Sequence, residues 1–544
     1  MAVTPFYNTD VTIFGETNFR NQRKKFGIKK LDRRRHMYVL GKTGMGKTSM
    51  IQHMIVQDMR RGESVCVFDS EGKIVDQMLH YVPRERLRDV VYFNPADISH
   101  PIGFNVFDVA QDDEVHRQEL IQGLLAIFEE VWSDVWGPRF EYFLKHVLLT
   151  LAQKENTTLL HVLPFITNPI YRDTFVNTIN DPVLKSFWHD EYAKDPQRFE
   201  AQAVTPLKGK ISELLSNPLT RNIVGQSKTS FSFRDIIEKH TIVFLVLKKS
   251  EIGSDVVRIL GSCFLLKLHL ENKKEEEIHE DVFLYVDEFH HFSTQLFSEL
   301  LGTSHYELNL VLVNQYLEQI PEGMRQAIFG NVGTFVFFRV SADDAELLAE
   351  ELKPKVASTD LIKLPAYAMI VKLCIDGETS TPFTAVTPEP LPIIGIKEKV
   401  IHYSQEHYSR QRHYIEAEIS ESLTNNLDKQ RIQQEKMEKQ EIATNDNIQS
   451  DQSEAEYRFD EHTGETQQSS LETFRKNLAS VLVKVKDENK KEVQSETIKA
   501  SYGQIFHENQ SHESQKKPDH ATHALRKTKM QEVTELKPNE EAYG

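Results

Sequence analysis

The stretch GKTGMGKT, Gly41 to Thr48, sets glycines, a lysine and a threonine at the spacing G-x-x-x-x-G-K-[ST]. It lies between the short apolar run MYVL and the helix-like SMIQHMIVQDMRR, the strand–loop–helix setting such a loop needs. Glycines so placed let backbone N–H groups turn inward around phosphate oxygens, at the positive end of the following helix dipole. Lys47 is expected to reach the β- and γ-phosphates, and the Thr48 hydroxyl to ligate Mg²⁺. The expected nucleotide-binding residues are Gly41, Thr43, Gly44, Met45, Gly46, Lys47, Thr48 and Ser49, with ATP and Mg²⁺ as the expected cofactors.

Hydrolysis needs further groups. VFLYVDE, Val282 to Glu288, is an apolar strand ending in two carboxylates. At a strand end beside a phosphate loop, Asp287 would hold the metal and Glu288 would take a proton from the attacking water. LVLVNQ ends the next apolar run at Gln315, whose amide could orient that water and sense loss of the γ-phosphate. Asp69, closing VCVFD, reads either as a further carboxylate near the site or as a helix N-cap. An arginine supplied across a subunit boundary often completes such a site. Arg339, at the end of TFVFFR, is the favoured candidate, with Arg325 and Arg221 behind it. His290 and His291 follow the carboxylates but form no HExxH pattern, so they read as solvated loop residues, not metal ligands.

Six apolar runs must position these groups: MYVL, VCVFD, IVFLVL, VFLYVDE, LNLVLVNQ and TFVFFR. Runs that are apolar on both faces and alternate with helical patterns imply a parallel sheet covered on both sides. The interval from Asp112 to Arg234 carries helical patterns, no clear strand and all three Trp. The expected organisation is an α/β core in two parts, 1–111 and 235–400, interrupted by an all-helical domain at 112–234. Residues 401–544 are rich in Gln, Glu, Asn, Ser and Lys and poor in apolar side chains, and read as a largely disordered tail. Within it, Leu471, Phe474, Leu478, Val481, Leu482 and Val485 recur at helical spacing, a candidate partner-docking helix at 471–486.

The 544 residues carry a net charge of -16, which disfavours a protein that coats nucleic acid with its whole surface. A ring or groove that touches nucleic acid locally is compatible with that charge, because local and total charge are separate quantities. Arg20 to His36 holds nine Lys or Arg and one Asp, the pattern of a solvated face or a polyanion contact. No apolar run approaches the roughly 18–20 residues of a membrane span, and no secretory signal is visible. Three well-separated cysteines give neither a disulfide framework nor a zinc site and fit a reducing cytoplasm.

In order along the chain, GKTGMGKT, VFDSEGK, VYFNPADISHPIGFNVFD, the WGPR segment at Trp136, YVDEFHHF, LVNQYLEQI and GNVGTFVFFRVSADDAELLAEEL resemble the HerA/FtsK superfamily of P-loop ATPases. Within it, the chain is most similar to the TraD/TraG-like type IV secretion coupling proteins, the conjugative DNA-transfer branch. The resemblance spans roughly Val11 to Thr384, with SRQRHYIEAEI at Ser409 a fainter extension. It implies a RecA-like core with a helical insertion, a homo-hexameric ring and helicase-like, ATP-driven movement of single- or double-stranded DNA through its pore. It carries the nucleotide roles onto Gly46, Lys47, Thr48, Asp287, Glu288 and Gln315, and supports Arg339 as the arginine acting in trans. A secretion channel or relaxase, met through the helical domain or the tail, is the implied protein partner, with the protein cytoplasmic or peripheral at the inner face of the membrane.

Two features depart from that pattern. Many coupling proteins begin with transmembrane helices, and no such segment is read here. Relatives often carry an Arg-Lys pair between the acidic strand end and the NQ strand, where this chain reads LLGTSHYEL, with Ser304 and His305. The rival expectations are a protein-secretion or pilus-assembly ATPase indifferent to DNA, and a nucleotide-gated adaptor. A HerA-like repair motor is a variant of the DNA-moving reading.

Overall fold

The computed structural model describes residues 10–18, 23–108, 113–274, 280–292, 294–302, 308–393 and 395–421. The helix expected at 471–486 and the pair Ser304 and His305 lie outside the described residues.

The strands are β1 (Val11–Thr17), β2 (Lys25–Lys29), β3 (Met37–Leu40), β4 (Ser64–Asp69), β5 (Val90–Phe93), β6 (Ile242–Val246), β7 (Val282–Val286), β8 (Leu308–Asn314), β9 (Thr334–Phe337), β10 (Ala368–Lys372), β11 (Cys374–Ile375), β12 (Glu378–Thr379) and β13 (Phe383–Val386). Eleven of them form one sheet in the order β2-β1-β13-β10-β9-β3-β8-β7-β4-β6-β5. From β9 to β5 every neighbouring pair is parallel. β10, β13, β1 and β2 continue the sheet antiparallel beyond β9. The six apolar runs of the sequence are β3, β4, β6, β7, β8 and β9. Together with β5 they make the parallel part.

Alternate side chains of the central strands enter two different hydrophobic clusters, so both faces of the sheet are buried, as continuous apolar runs require. Tyr38, Leu40, Cys66 and Phe68 join one face, Met37, Val39, Val65 and Val67 the other. The second face is covered by the helix Lys47–Arg61, through Met50, Ile51, Met54 and Ile55, and by Val400 of the helix Lys397–Tyr408.

Between β5 and β6 the described residues are helical apart from loops and one bridge of Ile102 to Ser409. These helices do not enclose a separate core: their apolar residues run into the first face of the sheet as one cluster. The helix Glu114–Val131 lies so close to the helix Ser254–Lys274 that a Cβ on Gly123 would stand 2.5 Å from a Leu266 methyl. An aromatic group around Phe143, Phe165, Phe187, Trp188, Tyr192 and Phe199 fills the far part of this helical segment.

Two expectations need adjusting. Residues 401–421, read from sequence as the start of the tail, pack on the body. The helix Lys397–Tyr408 buries Val400 and Ser404, and helical backbone at 412–421 buries Ile415 and Ile419. The basic run divides: Arg23, Lys24 and Lys25 are exposed, whereas its later residues are tied to the body. Arg33 is buried and paired with Asp58, Arg34 and Lys30 reach Asp281, and Lys29 pairs with Asp376. Their partners come from elements far along the chain, which a local charge count does not register.

Candidate nucleotide site

The loop Gly41–Gly46 leaves the end of β3, the middle strand of the eleven-stranded sheet. Its entry is tied to both neighbours. Gly41 N–H donates to the Asn314 carbonyl at the end of β8 (3.3 Å), and Lys42 N–H to the Arg339 carbonyl beyond β9 (2.9 Å). Gly44 and Gly46 take positive φ, 77° and 116°. At Gly46 a side chain is excluded twice over. Besides the left-handed backbone, a Cβ would stand 3.1 Å from the Phe338 ring, 3.2 Å from Thr387 and 3.2 Å from the Tyr367 Cα. The helix Lys47–Arg61 then starts directly from Gly46, with no side chain capping its first N–H groups.

The ends of the adjacent strands supply the rest. β7 ends at Val286, and Asp287 N–H still donates to the Phe68 carbonyl of β4 (3.0 Å). Glu288 follows with φ 49°, a left-handed conformation uncommon for a glutamate. Thr43, Gly44, Gly46, Lys47, Thr48, Ser49, Asp287, Glu288 and Gln315 all line one cleft of about 370 Å³. Gly41 and Met45 are not part of its lining. The Gly41 carbonyl accepts from the Lys47 ammonium, which also lies 3.4 Å from the Lys42 carbonyl.

Charge in the cleft is poorly solvated. Burial lowers the Lys47 pKa against the pull of Glu288 and Asp287. Burial first, then Glu288 and Asp69, pushes the Asp287 carboxyl up to about 7. Glu288 is raised by burial, with a hydrogen bond from Gln315 acting in the opposite sense. Two adjacent carboxyls held this way favour a cation beside them. Among the described residues no cluster of three or more His, Cys, Asp or Glu forms a metal cage. Thr48 and Asp287 fit Mg²⁺ in the manner of a phosphate site, where few protein ligands hold the ion and substrate oxygens and water complete it. The glycine cradle fits the phosphates.

Several residues at this site carried no signal in the sequence. The DSEGK turn brings Glu71 and Lys73 to the cleft, ion-paired at 2.5 Å, and Gln52, Ile74, Gln77, Tyr367 and Pro390 complete its wall. Asp69 itself is fully buried and serves as the cap. Its carboxylate accepts from the N–H groups of Glu71, Gly72, Ile74 and Val75, at 2.7–3.0 Å, and so fixes that turn. His290 is not a solvated loop residue. Its imidazole is 2.8 Å from Asn314 Oδ1 and 3.5 Å from the Glu288 carboxylate, because the turn after β7 folds back on the end of β8.

The candidate arginines lie elsewhere. The Arg339 guanidinium rests on the Met45 sulfur of its own phosphate loop, at 2.8 and 3.1 Å, and is not part of the cleft wall. Arg325 pairs with Glu322 on its own helix, and Arg221 donates to the Leu215 carbonyl (3.1 Å).

Residues 25–354 match the family described as the type IV secretion-system coupling protein DNA-binding domain. In fold the chain is similar to the bacterial conjugative coupling protein TrwBdeltaN70 in an unbound form. The TM-score is 0.51 at 14% identity, over 71% of this chain and 89% of that one. It is similar too to the plasmid coupling protein TrwB in complex with a non-hydrolysable ATP analogue, at TM-score 0.51 and 15% identity, over 66% of this chain and 87% of that one. The VirB4 structure of Thermoanaerobacter pseudethanolicus aligns at TM-score 0.48 and 14% identity, over 72% of this chain and 98% of that one. No curated protein matches the chain in sequence. Among the described residues no helix is long and apolar enough to cross a membrane.

Proposed function

The chain belongs to the family of type IV secretion-system coupling protein DNA-binding domains, and from that premise we propose that it is an ATP-hydrolysing, ring-forming motor that moves DNA. The observation that carries this reading is the meeting of Lys47, Thr48, Asp287, Glu288 and Gln315 in one cleft at the ends of three neighbouring parallel strands. Ligands of open α/β sheets bind at such strand ends.

In this reading the loop N–H groups and Lys47 hold the triphosphate of ATP. Thr48 and Asp287 hold Mg²⁺, which neutralises phosphate charge when bound. Glu288 accepts the proton of the attacking water, and its raised pKa makes it a better base than an exposed glutamate. Gln315, bonded to Glu288, orients the same water. The low exposure of Lys47 and Glu288, 7% and 6%, strengthens each of these interactions relative to bulk water.

The working unit is proposed to be a homo-hexamer carrying single- or double-stranded DNA through its pore. The helical segment between β5 and β6 is proposed as the inserted domain that meets a secretion channel or relaxase. Arg339 is proposed to complete the site of a neighbouring subunit, which requires its guanidinium to leave Met45.

The test is steady-state ATP hydrolysis by the full-length protein, alone and with single- or double-stranded DNA, beside Lys47→Ala and Glu288→Gln. The expected result is turnover stimulated by DNA, suppressed by salt as phosphate contacts are screened, and lost in both variants. Turnover indifferent to DNA would favour a protein-secretion or assembly ATPase. ATP binding without turnover would favour a nucleotide-gated adaptor.

A further inference from the structure

We propose that Tyr367 is the nucleobase platform of this site, so that the cleft takes a base-bearing nucleotide and not merely a polyphosphate. The proposal rests on the nucleotide-site reading above and deepens it. Tyr367 lies in the loop that enters β10, on the antiparallel side of the sheet, far in sequence from the phosphate loop. It nevertheless lines the same cleft as Gly46, Lys47 and Thr48.

Three observations converge on it. First, Tyr367 has φ 66°, a left-handed conformation that a bulky side chain rarely adopts. The strain is held by two hydrogen bonds. Its N–H donates to the Met45 carbonyl of the phosphate loop (2.8 Å), and its carbonyl accepts from Thr387 N–H beyond β13 (2.9 Å). Strained residues that persist because their surroundings over-determine them cluster at ligand clamps. Second, the chain approaches the loop so closely that the Tyr367 Cα would be 3.2 Å from a Cβ on Gly46. The tyrosine is therefore fixed to the element that would hold the phosphates. Third, Tyr367 remains 53% exposed beside this cleft, whereas most large aromatics of the chain are buried.

The chemistry points to stacking. An exposed aromatic face beside a phosphate cradle meets the other end of a nucleotide, the flat heterocycle. Pro390 lines the same cleft and adds an apolar surface. Stacking is tolerant of base identity because every base has a π-face. The platform should therefore accept ATP and GTP alike and contribute nothing to inorganic triphosphate.

The experiment uses the full chain with Mg²⁺ and compares the binding of ATP with that of inorganic triphosphate, in the unmodified protein, Tyr367→Phe, Tyr367→Asn and Lys47→Ala. Asn is chosen because it tolerates the left-handed backbone while removing the ring. The expected result is ATP affinity about tenfold lower in Tyr367→Asn and kept in Tyr367→Phe, with triphosphate affinity equal in the unmodified protein and both Tyr367 variants. Parallel loss of ATP and triphosphate in Tyr367→Asn would overturn the platform and leave Tyr367 as a support of the loop. Unchanged ATP affinity in Tyr367→Asn would overturn it as well. ATP binding that survives Lys47→Ala at full strength would instead overturn the nucleotide-site reading, and the platform with it.

Discussion

The imidazole Nδ1 of His290 lies 2.8 Å from the side-chain oxygen of Asn314, which joins the turn after β7 to the last residue of β8. The Asn314 amide donates to the Tyr316 carbonyl (2.7 Å), so its oxygen is the acceptor and His290 carries its proton on Nδ1. Burial lowers the His290 pKa, which keeps the ring neutral. Glu288 stands two residues before His290, and Gln315 one residue after Asn314. The bond thus ties together the backbones that present the proposed base and the proposed water-orienting amide.

His290 is accordingly a positioning residue. His290→Ala should lower kcat for ATP roughly tenfold to a hundredfold, since small misplacements of a base are costly. Nucleotide affinity should stay within about twofold, because binding energy resides in the phosphate loop. Pre-steady-state and equilibrium binding measurements separate the two. An unchanged kcat would show that the strut does not matter to turnover.

Gly46→Ala tests the cradle. The added methyl meets Phe338, Thr387 and Tyr367 at 3.1–3.2 Å on a backbone with φ 116°. The loop must move away from its ties to β8 and β9, so ATP affinity should fall at least about tenfold. Global stability should fall by about 1–3 kcal/mol. Titration with a fluorescent ATP analogue, beside a thermal melt, reads both. Full affinity in this variant would mean the loop tolerates a side chain and that its geometry is not what selects phosphate.

The parallel strands were legible because a strand buried on both faces is written as an unbroken apolar run. β5 escaped notice because VVYF, as short as MYVL, has no phosphate-loop pattern after it to mark it as a strand. β1 and β2 escaped because glycine and polar residues interrupt them and β1 carries a register shift between Ile13 and Gly15. The phosphate loop, Asp287, Glu288 and Gln315 were legible because each sits at the end of such a run. Glu71, Tyr367 and Pro390 were not, since nothing local marks a residue whose role comes from the strand order. Arg33 was misleading for the same reason. Its charge belongs to a buried network, and its basic neighbours in sequence gave no hint of that.

Acid should act on the fold through buried histidines, against the opposite effect of Asp287, whose raised pKa favours the folded state as pH falls. His36, the last residue of the basic run and the one before β3, is 4% exposed, and burial pushes its pKa down to about 4. His161 and His269 are likewise pushed down to about 4. A histidine whose folded pKa lies below its unfolded value near 6.5 binds fewer protons in the native state. The histidine contribution to stability therefore falls as pH drops from about 6.5 towards 4, by up to about 3 kcal/mol for a fully buried ring such as His36. His36→Asn, which suits the φ of 59° at this position, should flatten that dependence. Urea denaturation at pH 7 and pH 4.5 measures the slope, and an equal slope in the variant would place the acid sensitivity elsewhere.

Asp58 should be among the costliest polar residues to remove. Its carboxylate, fully buried near the end of the helix Lys47–Arg61, accepts from Arg33 at 2.8 and 2.9 Å, from Arg61 at 2.7 Å and from the Tyr285 hydroxyl at 2.5 Å. Tyr285 is in β7, two residues before Asp287, and the Arg33 guanidinium lies 3.7 Å from the centre of the Phe283 ring on the same strand. Burial raises the Asp58 pKa, but Arg33 and its hydrogen bonds, with Arg61, hold it below the usual carboxylate range. Its stabilisation is thus present above about pH 4 and is lost only as pH falls further. Asp58→Ala leaves Arg33, 3% exposed, without its main counter-charge, which typically costs about 3–5 kcal/mol. The double change Asp58→Leu with Arg33→Met should recover part of that loss, because it removes the buried ion pair while the Tyr285 hydroxyl and one Arg61 donor still lose a partner. Chemical denaturation of the two variants decides the matter. If the single variant melts like the unmodified protein, the network does not hold the phosphate-loop helix to β7.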